Sequence, residues 1–505
     1  YLYLLGKQQE IQTDPLWLDN IPETIFVKDL RKKYQVKTKP NIIKPVVGEY
    51  DDPFNQRQGV VTLNLSKDGN TVIYGNADSG KETFLSTMVY DLITTHTSEE
   101  VQLYLLDFGT EALKIYRESP QVGDVVFIND TEKINRFFNM IQEKIRERKD
   151  ELLEYNGDYE LYLKTSNKKM PMIVIVINNW DVFSETYGDD YEDMIQALER
   201  ESTKCGIVFV VTANAYNSMR YRLTQNFKQK IALQLNDEND YYSIFDKVGK
   251  KRPSSMFGRG LLEMDRDEIY EFQTAKICEP EKYTENIREK IQELKKKITV
   301  NAEPIAILPE SVTFKSVEGS LKDISKVPIG ITEKKLKVYT YNFRKRFVTL
   351  IISKNTEDAV QFTANILEEF KKLKNVETII FDAEKALIEE KIDLKEQYNK
   401  LISEVDKNNK KHNMCIIIGI DKFLSDYSDI AINFESNMKQ LEENGNYSFI
   451  LVENANKLKS HEFEPWYKNY ITKEDGIWVG NGIDNQYLIN INSNRRELKN
   501  NCGRS

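Results

Sequence analysis

Four apolar segments, each closed by a short polar turn, occur twice in the same order along this chain of 505 residues. In the first half "NTVIYGNADSGKETFLSTMVYDL" is followed by "VQLYLLDFGTEAL", "MPMIVIVINNWDVF" and "IVFVVTANAYN". In the second half "FVTLIISKNTEDAVQFTANILEEF" is followed by "VETIIFDAEKAL", "NMCIIIGIDKFL" and "FILVENANKL". Apolar strands alternating with amphipathic helices predict a parallel sheet with crossovers. Agreement at four stations in one order predicts two copies of one α/β domain, the second shorter and more divergent. Two of the stations end in an aspartate, Asp107 and Asp382. The last two strands are similarly spaced, 34 positions from Asn178 to Thr212 and 32 from Asp421 to Glu453.

The expected domains are a leading segment or linker over 1–47, a first domain over 48–300, a linker over 301–310 and a second domain over 311–505. Within the leading segment Tyr1–Gln12 reads as helical, with Pro15 and Pro22 as breakers. Asn129 with Glu132 resembles a capping box, followed by Ile134, Phe137, Phe138, Ile141 and Ile145 at helical spacing. A second helix is expected from about Glu281 to Ile298, its "LKKKI" end placing cations at the negative end of the helix dipole. Pro304 and Pro309 mark the linker.

Composition bounds the function. The chain is 40% hydrophobic, 11% aromatic and 30% charged, which is globular rather than disordered. A net charge of −9 argues against a chain whose main work is gripping nucleic-acid backbone. Cys205, Cys278, Cys415 and Cys502 are scattered, and His96, His412 and His461 are the only histidines, so no zinc spacing is present. Cys205 and Cys415 read as buried, reduced thiols. No run approaches the roughly 18 apolar residues of a membrane span. A start at Tyr1 without an initiator methionine or signal peptide reads as part of a longer protein, with any membrane anchor outside it.

The chemistry concentrates in "GNADSGKET". Gly75, Asn76, Ala77, Asp78, Ser79, Gly80 and Lys81 stand between a strand and a helix, as in a phosphate-binding loop. There, successive backbone N–H groups and a helix N-terminus converge on an anion. A fortuitous turn is the alternative reading. After the lysine a Ser or Thr normally holds Mg²⁺; this chain has Glu82, which either repels phosphate or ligates the metal itself, and Thr83 comes one residue late. The strand "MIVIVINNWDVF" should end in an aspartate for the Mg²⁺ shell and a glutamate for the attacking water. Both positions are amides, Asn178 and Asn179, and Asp181 reads as a turn-surface residue.

In the second copy the loop "SKNTEDAVQF" places Ser353, Asp358 and Ala359 where Gly, Gly and Lys should stand, so phosphate binding is not expected there. Asp421 is either a weak metal candidate or a strand-end carboxylate paired with Lys422 or a turn amide. Arg220 and Arg222 follow the fourth strand, where ring motors place arginines that act in trans; a solvated basic helix is the other reading. "GRGLL" at 258–262 reads as a tight turn before a strand.

Several stretches carry a family resemblance: "VGEYDDPFNQRQGVVTLNL", the loop at 75–82, "VQLYLLDFGTEAL", "PQVGDVVFINDTEKINRFFNMI" and "FGRGLLEMDRDEIYEFQTA" resemble FtsK/SpoIIIE-type ATPase domains. With "DPLWLDNIPETI" ahead of them, and "VPIGITEKKLKVYTYNF" and "GIWVGNGIDNQYLI" in the second copy, the chain is similar to the second and third ATPase domains of the EssC/EccC family. These are membrane-anchored coupling ATPases of type VII secretion. The resemblance implies two RecA-like P-loop NTPase domains, each a largely parallel sheet flanked by helices. It also implies a position on the cytoplasmic side of the membrane, an upstream ATPase domain in the same polypeptide, hexamers, and secreted WXG100-type substrates. It implies ATP with Mg²⁺ in the first domain and no cofactor in the second. The altered loop and strand-end residues predict weak or absent hydrolysis and a role in recruiting substrate and regulating the upstream motor. An active translocase of protein, or less readily of DNA, is the rival reading, and a scaffold without ligand is a third.

Overall fold

The computed structural model describes residues 18–166, 168–264, 268–307, 321, 323–332, 337–388, 392–405 and 411–490. The expected helix at Tyr1–Gln12, Pro309 and Cys502 lie outside them. The chain divides into two units, Tyr1–Ile307 and Leu308–Ser505.

The first unit is built on ten strands: β1 (Val46–Asp52), β2 (Arg57–Thr62), β3 (Thr71–Tyr74), β4 (Val101–Asp107), β5 (Val122–Phe127), β6 (Met172–Asn178), β7 (Ile207–Ala213), β8 (Gln229–Ala232), β9 (Arg259–Met264) and β10 (Glu268–Thr274). Their order in the sheet is β2-β1-β10-β9-β8-β3-β7-β6-β4-β5. From β8 to β5 all neighbours run parallel. The other four continue the sheet antiparallel. Every residue of β6 and β7 is buried, because helices cover both faces of a parallel sheet and leave no polar side to the strand.

The helices that matter for the site are α1 (Val27–Lys33), α2 (Lys81–Thr95), α3 (Thr131–Leu152), α4 (Trp180–Ser202) and α5 (Tyr283–Lys297). Helix α3 buries Ile134, Phe137, Phe138, Ile141 and Ile145 as their spacing predicts. Its start differs from the expected Asn129/Glu132 box: Asp130 is the N-cap and makes no side-chain cap. Instead its carboxylate accepts from the Phe127 N–H at 3.0 Å, closing the turn from β5. Farther along α3 the buried Arg148 donates to the carbonyls of Cys205, Gly206 and Pro171, tying the helix to the chain entering β6 and β7.

Residues 21–47 do not behave as a linker. Ile21, Ile25, Val27 and Leu30 share a small core with Val46 and Ala275, so this segment belongs to the first unit. The same holds for 302–305. The Ala302 N–H donates to the Pro120 carbonyl at 2.7 Å, the Tyr104 hydroxyl donates to the Glu303 carbonyl at 2.8 Å, and Ile305 is buried.

In the second unit β11 (Val327–Ile331) and β12 (Val338–Tyr341) form a two-stranded sheet. A five-stranded parallel sheet follows, with β13 (Val348–Ser353), β14 (Val376–Asp382), β15 (His412–Ile418), β16 (Tyr447–Asn454) and β17 (Ile477–Val479) in the order β14-β15-β16-β13-β17. This matches β4-β6-β7-β3-β8 strand for strand, so the two units share one topology, a RecA-like arrangement of the parallel strands. Both Cys205 and Cys415 are buried free thiols.

His412 opens β15, buried, with its Nε2 3.0 Å from the Ser448 hydroxyl. Burial, with a smaller effect from Arg344, pushes its pKa down to about 4. An unfolded histidine titrates near 6.5. Between those values the unfolded chain takes up a proton that the folded one refuses, so stability is full above about pH 6.5 and falls as pH drops toward 4. At pH 5 the loss from this group is about 2 kcal/mol. Urea unfolding of wild type and His412→Asn at pH 7.5 and pH 5 should show the gap between them closing by that amount. An unchanged gap would refute the assignment.

Candidate functional site

Residues 75–80 form the loop between β3 and α2. The Gly75 N–H donates to the Ala213 carbonyl at 3.0 Å and the Asn76 N–H to Gln234 at 2.7 Å, pinning the loop start to β7 and β8. Ser79 turns its hydroxyl back onto the Asn76 carbonyl at 2.9 Å. Asp78 and Gly80 both have positive φ, +62° and +102°. At Gly80 a Cβ would also stand 3.0 Å from the Cα of Gly258, so only glycine fits. Gly258 in turn donates its N–H to the Ser79 carbonyl at 3.1 Å, bracing the loop from the "GRG" turn. Ala77 and Asp78 are exposed at the loop's tip. The N-terminus of α2, beginning at Lys81, stands at the loop's end, where a helix dipole would favour an anion.

Lys81 is half-buried, with its ammonium on the Gly75 carbonyl, on the Asn76 carbonyl at 2.8 Å and on Asn214 Oδ1 at 3.0 Å. Burial pulls its pKa down, and the carboxylates of Asp181, Glu82 and Asp78 oppose that, Asp181 most. Glu82 faces sideways: its Oε1 accepts from the Thr110 hydroxyl at 2.6 Å, in the loop after β4. Thr83 is half-buried one position further along α2.

At the end of β6 the two amides serve different ends. Asn178 is buried; its Nδ2 donates to Asp107 Oδ1 at 2.8 Å and its Oδ1 accepts from the Thr212 hydroxyl at 2.9 Å. Asp107 also accepts from the N–H groups of Gly109 at 3.2 Å and Leu113 at 2.9 Å. Asn179 has φ +71° and is the N-cap of α4, its Oδ1 accepting from the Val182 N–H at 3.4 Å. Asparagine tolerates that left-handed backbone far better than glutamate does. The amide at 179 therefore answers a backbone requirement as well as removing a base.

The second unit makes this clear. There Gly419 has φ +74° between β15 and the helix Ile420–Asp426, in the place of Asn179. The pairing Ile418↔Val452 then matches Asn178 with Thr212, 34 positions in each copy. Asp421 is consequently the counterpart of Asp181, three residues past the strand, and not of Asn178. It meets His461 Nε2 at 3.1 Å and takes the Glu453 carboxylate on its own N–H at 3.1 Å. Among the described residues no group of three or more His, Cys, Asp or Glu is placed to hold a metal ion. The loop is also shorter: β13 ends at Ser353 and a helix begins at Thr356, leaving Asp358 and Ala359 inside the first helical turn with no loop to cradle phosphate.

Asp181 is partly exposed on the first turn of α4. Its carboxylate accepts from the Asn214 N–H at 2.9 Å and the Ser218 hydroxyl at 2.5 Å, beside the residue whose side chain holds Lys81. Thr212 of β7, which the sequence offers only as a spacing mark, and Asn214 just past that strand join the site through the strand pairing. Arg220 is exposed and pairs with Glu192 of α4 at 2.7 Å, and Arg222 is exposed on a short helix, so neither joins the phosphate loop within this chain.

A profile of the FtsK/SpoIIIE family matches residues 31–275. The type VII secretion system protein EssC of Staphylococcus aureus (strain MRSA252) is 26% identical over 333 residues, covering 62% of this chain and 22% of the relative. The chain thus spans about a fifth of that protein's length. Among solved structures, EssC (ATPases 2 and 3) from Geobacillus thermodenitrificans superposes with a TM-score of 0.84 at 20% identity over 95% of both chains. Thermomonospora curvata EccC (ATPases 2 and 3), in complex with a signal sequence peptide, gives 0.56 at 21% identity, over 88% of this chain and 89% of that one. No helix among the described residues is long and apolar enough to cross a membrane.

Proposed function

We infer that this chain, whose residues 31–275 belong to the FtsK/SpoIIIE family, is the cytoplasmic tandem of a type VII secretion coupling ATPase that binds ATP in its first unit and hydrolyses it slowly or not at all. The tandem recruits secreted WXG100-type substrates through their signal segments and regulates the upstream ATPase domain of the same polypeptide, within a hexamer. The observation that carries this reading is the contrast inside one site. A phosphate loop with its lysine, glycines and helix N-terminus is kept, while the residue at the end of β6 is an amide held on both sides by Asp107 and Thr212. Such a group neither carries charge to a metal nor accepts a proton from water.

Calorimetry and turnover assays on the purified chain test it. ATP should bind, and Lys81→Ala should weaken binding by about 10–100-fold, the worth of a charge-assisted contact to phosphate. Turnover should stay well below the roughly 1–10³ s⁻¹ usual for enzymes. Hydrolysis at about 1 s⁻¹ or faster, abolished by Lys81→Ala, would overturn the reading.

Asp181 supports one rival, an active translocase. Its carboxylate acts on Lys81 more strongly than those of Glu82 and Asp78, and it holds the N–H of Asn214, whose side chain meets that lysine. That rival requires Asp181→Asn to remove measurable turnover while leaving ATP binding intact.

A further inference from the structure

We propose that the first unit binds its nucleotide without a divalent cation. This rests on the nucleotide reading above and concerns the Mg²⁺ that the P-loop fold ordinarily brings. Mg²⁺ takes hard oxygen ligands in near-ideal octahedral geometry and keeps several waters, which need room and acceptors of their own. The residues present do not fit it.

The three protein groups that would face the ion are all turned to other work. The position after the loop lysine offers no hydroxyl; it offers Glu82, whose Oε1 is held by the Thr110 hydroxyl at 2.6 Å. At the end of β6 the Asn178 oxygen is taken by Thr212 at 2.9 Å, and its nitrogen, a donor that repels a cation, points to Asp107. Asp107, the buried carboxylate on the neighbouring strand, accepts from Gly109 N, Leu113 N and Asn178 Nδ2 together.

The loop after β4 also passes close to all three groups. A Cβ built on Gly109 would stand 3.0 Å from Asn178 Nδ2, 3.4 Å from Glu82 Oε1 and 3.5 Å from Asp107 Oδ1. Gly109 thus lies beside Glu82, Asn178 and Asp107 together, and any larger residue there would press on the Asn178 amide. Phosphate charge falls instead to the Lys81 ammonium, the loop N–H groups and the N-terminus of α2.

The test is a calorimetric titration of the full 505-residue chain with ATP, once in excess Mg²⁺ and once in EDTA. The two dissociation constants should agree within about threefold. A constant weakened about tenfold or more by EDTA would overturn this inference and leave the nucleotide reading standing. No heat and no thermal shift in either buffer would overturn both. Glu82→Gln gives an independent arm: an amide still accepts from Thr110, so the constant in EDTA should hold or tighten. A constant weakened about tenfold or more in Mg²⁺ but not in EDTA would mean the carboxylate serves a ligated cation, and the inference fails.

Discussion

Arg31→Met should destabilise the first unit by about 3–5 kcal/mol, the cost of stranding a buried carboxylate. The carboxylate is Asp91 on α2, only 1% exposed. Arg31 grips it as a fork, Nε to Oδ1 and Nη2 to Oδ2, both at 2.6 Å. The Val46 N–H at the head of β1 adds a third bond to Oδ2 at 2.8 Å. One aspartate thus joins three pieces: α1 of the leading segment, the outer antiparallel strands, and the helix whose N-terminus faces the phosphate loop. Without the guanidinium the charge must stay buried with one N–H, or take a proton. Arg31→Met/Asp91→Leu should recover only part of the loss, because the Val46 N–H then has no acceptor, at about 1–3 kcal/mol. Urea unfolding measures both variants. Arg31→Met within about 1 kcal/mol of wild type would show that the pair is no more than a surface salt bridge.

This clamp also shows where sequence reading stops. The strands were visible because a buried parallel strand is apolar throughout, and the repeat was visible because two such series keep one order. The loop after β3 was visible as a unit because its glycines and lysine are contiguous. The Arg31–Asp91 pair spans 60 positions and leaves no local signature, so residues 1–47 read only as a leading segment or linker. The same blindness touched the site: Asn178 meets Asp107 across 71 positions and Thr212 across 34. The repeat was misregistered near Asp421 because a left-handed residue between strand and helix can be Asn in one copy and Gly in the other, and the letters do not align. Matching charge with charge set Asp421 against Asn178; matching backbone conformation sets it against Asp181.

Asn178→Asp should cost about 3 kcal/mol at neutral pH and return no hydrolysis, although it rebuilds the consensus strand end. The new carboxyl would replace an N–H donor 2.8 Å from Asp107 Oδ1 with an oxygen, setting two carboxylates side by side in a buried place. Like charges that close do not both ionise, so the pair holds a shared proton and titrates as a unit at raised pH. Asp107 keeps its Gly109 and Leu113 N–H bonds beside the new group, and one acid of the pair stays protonated. A protonated acid is no better a metal ligand than the amide it replaced. The sign of the pH dependence follows: the folded state holds a proton that the unfolded chain releases above about pH 4, so the deficit should be small near pH 4 and grow as pH rises through the pair's folded titration. Urea unfolding at pH 5 and pH 8, with ATP turnover on the same samples, tests both halves. A tenfold gain in turnover, or a deficit that shrinks as pH rises, would mean that Asp107 is free to move away and that the strand end is a catalytic site missing one atom. Exchanging the two residues, Asp107→Asn with Asn178→Asp, restores a donor opposite an acceptor and should recover part of the stability. It cannot recover all of it, because one amide oxygen must then serve two backbone N–H groups that a carboxylate now shares between two.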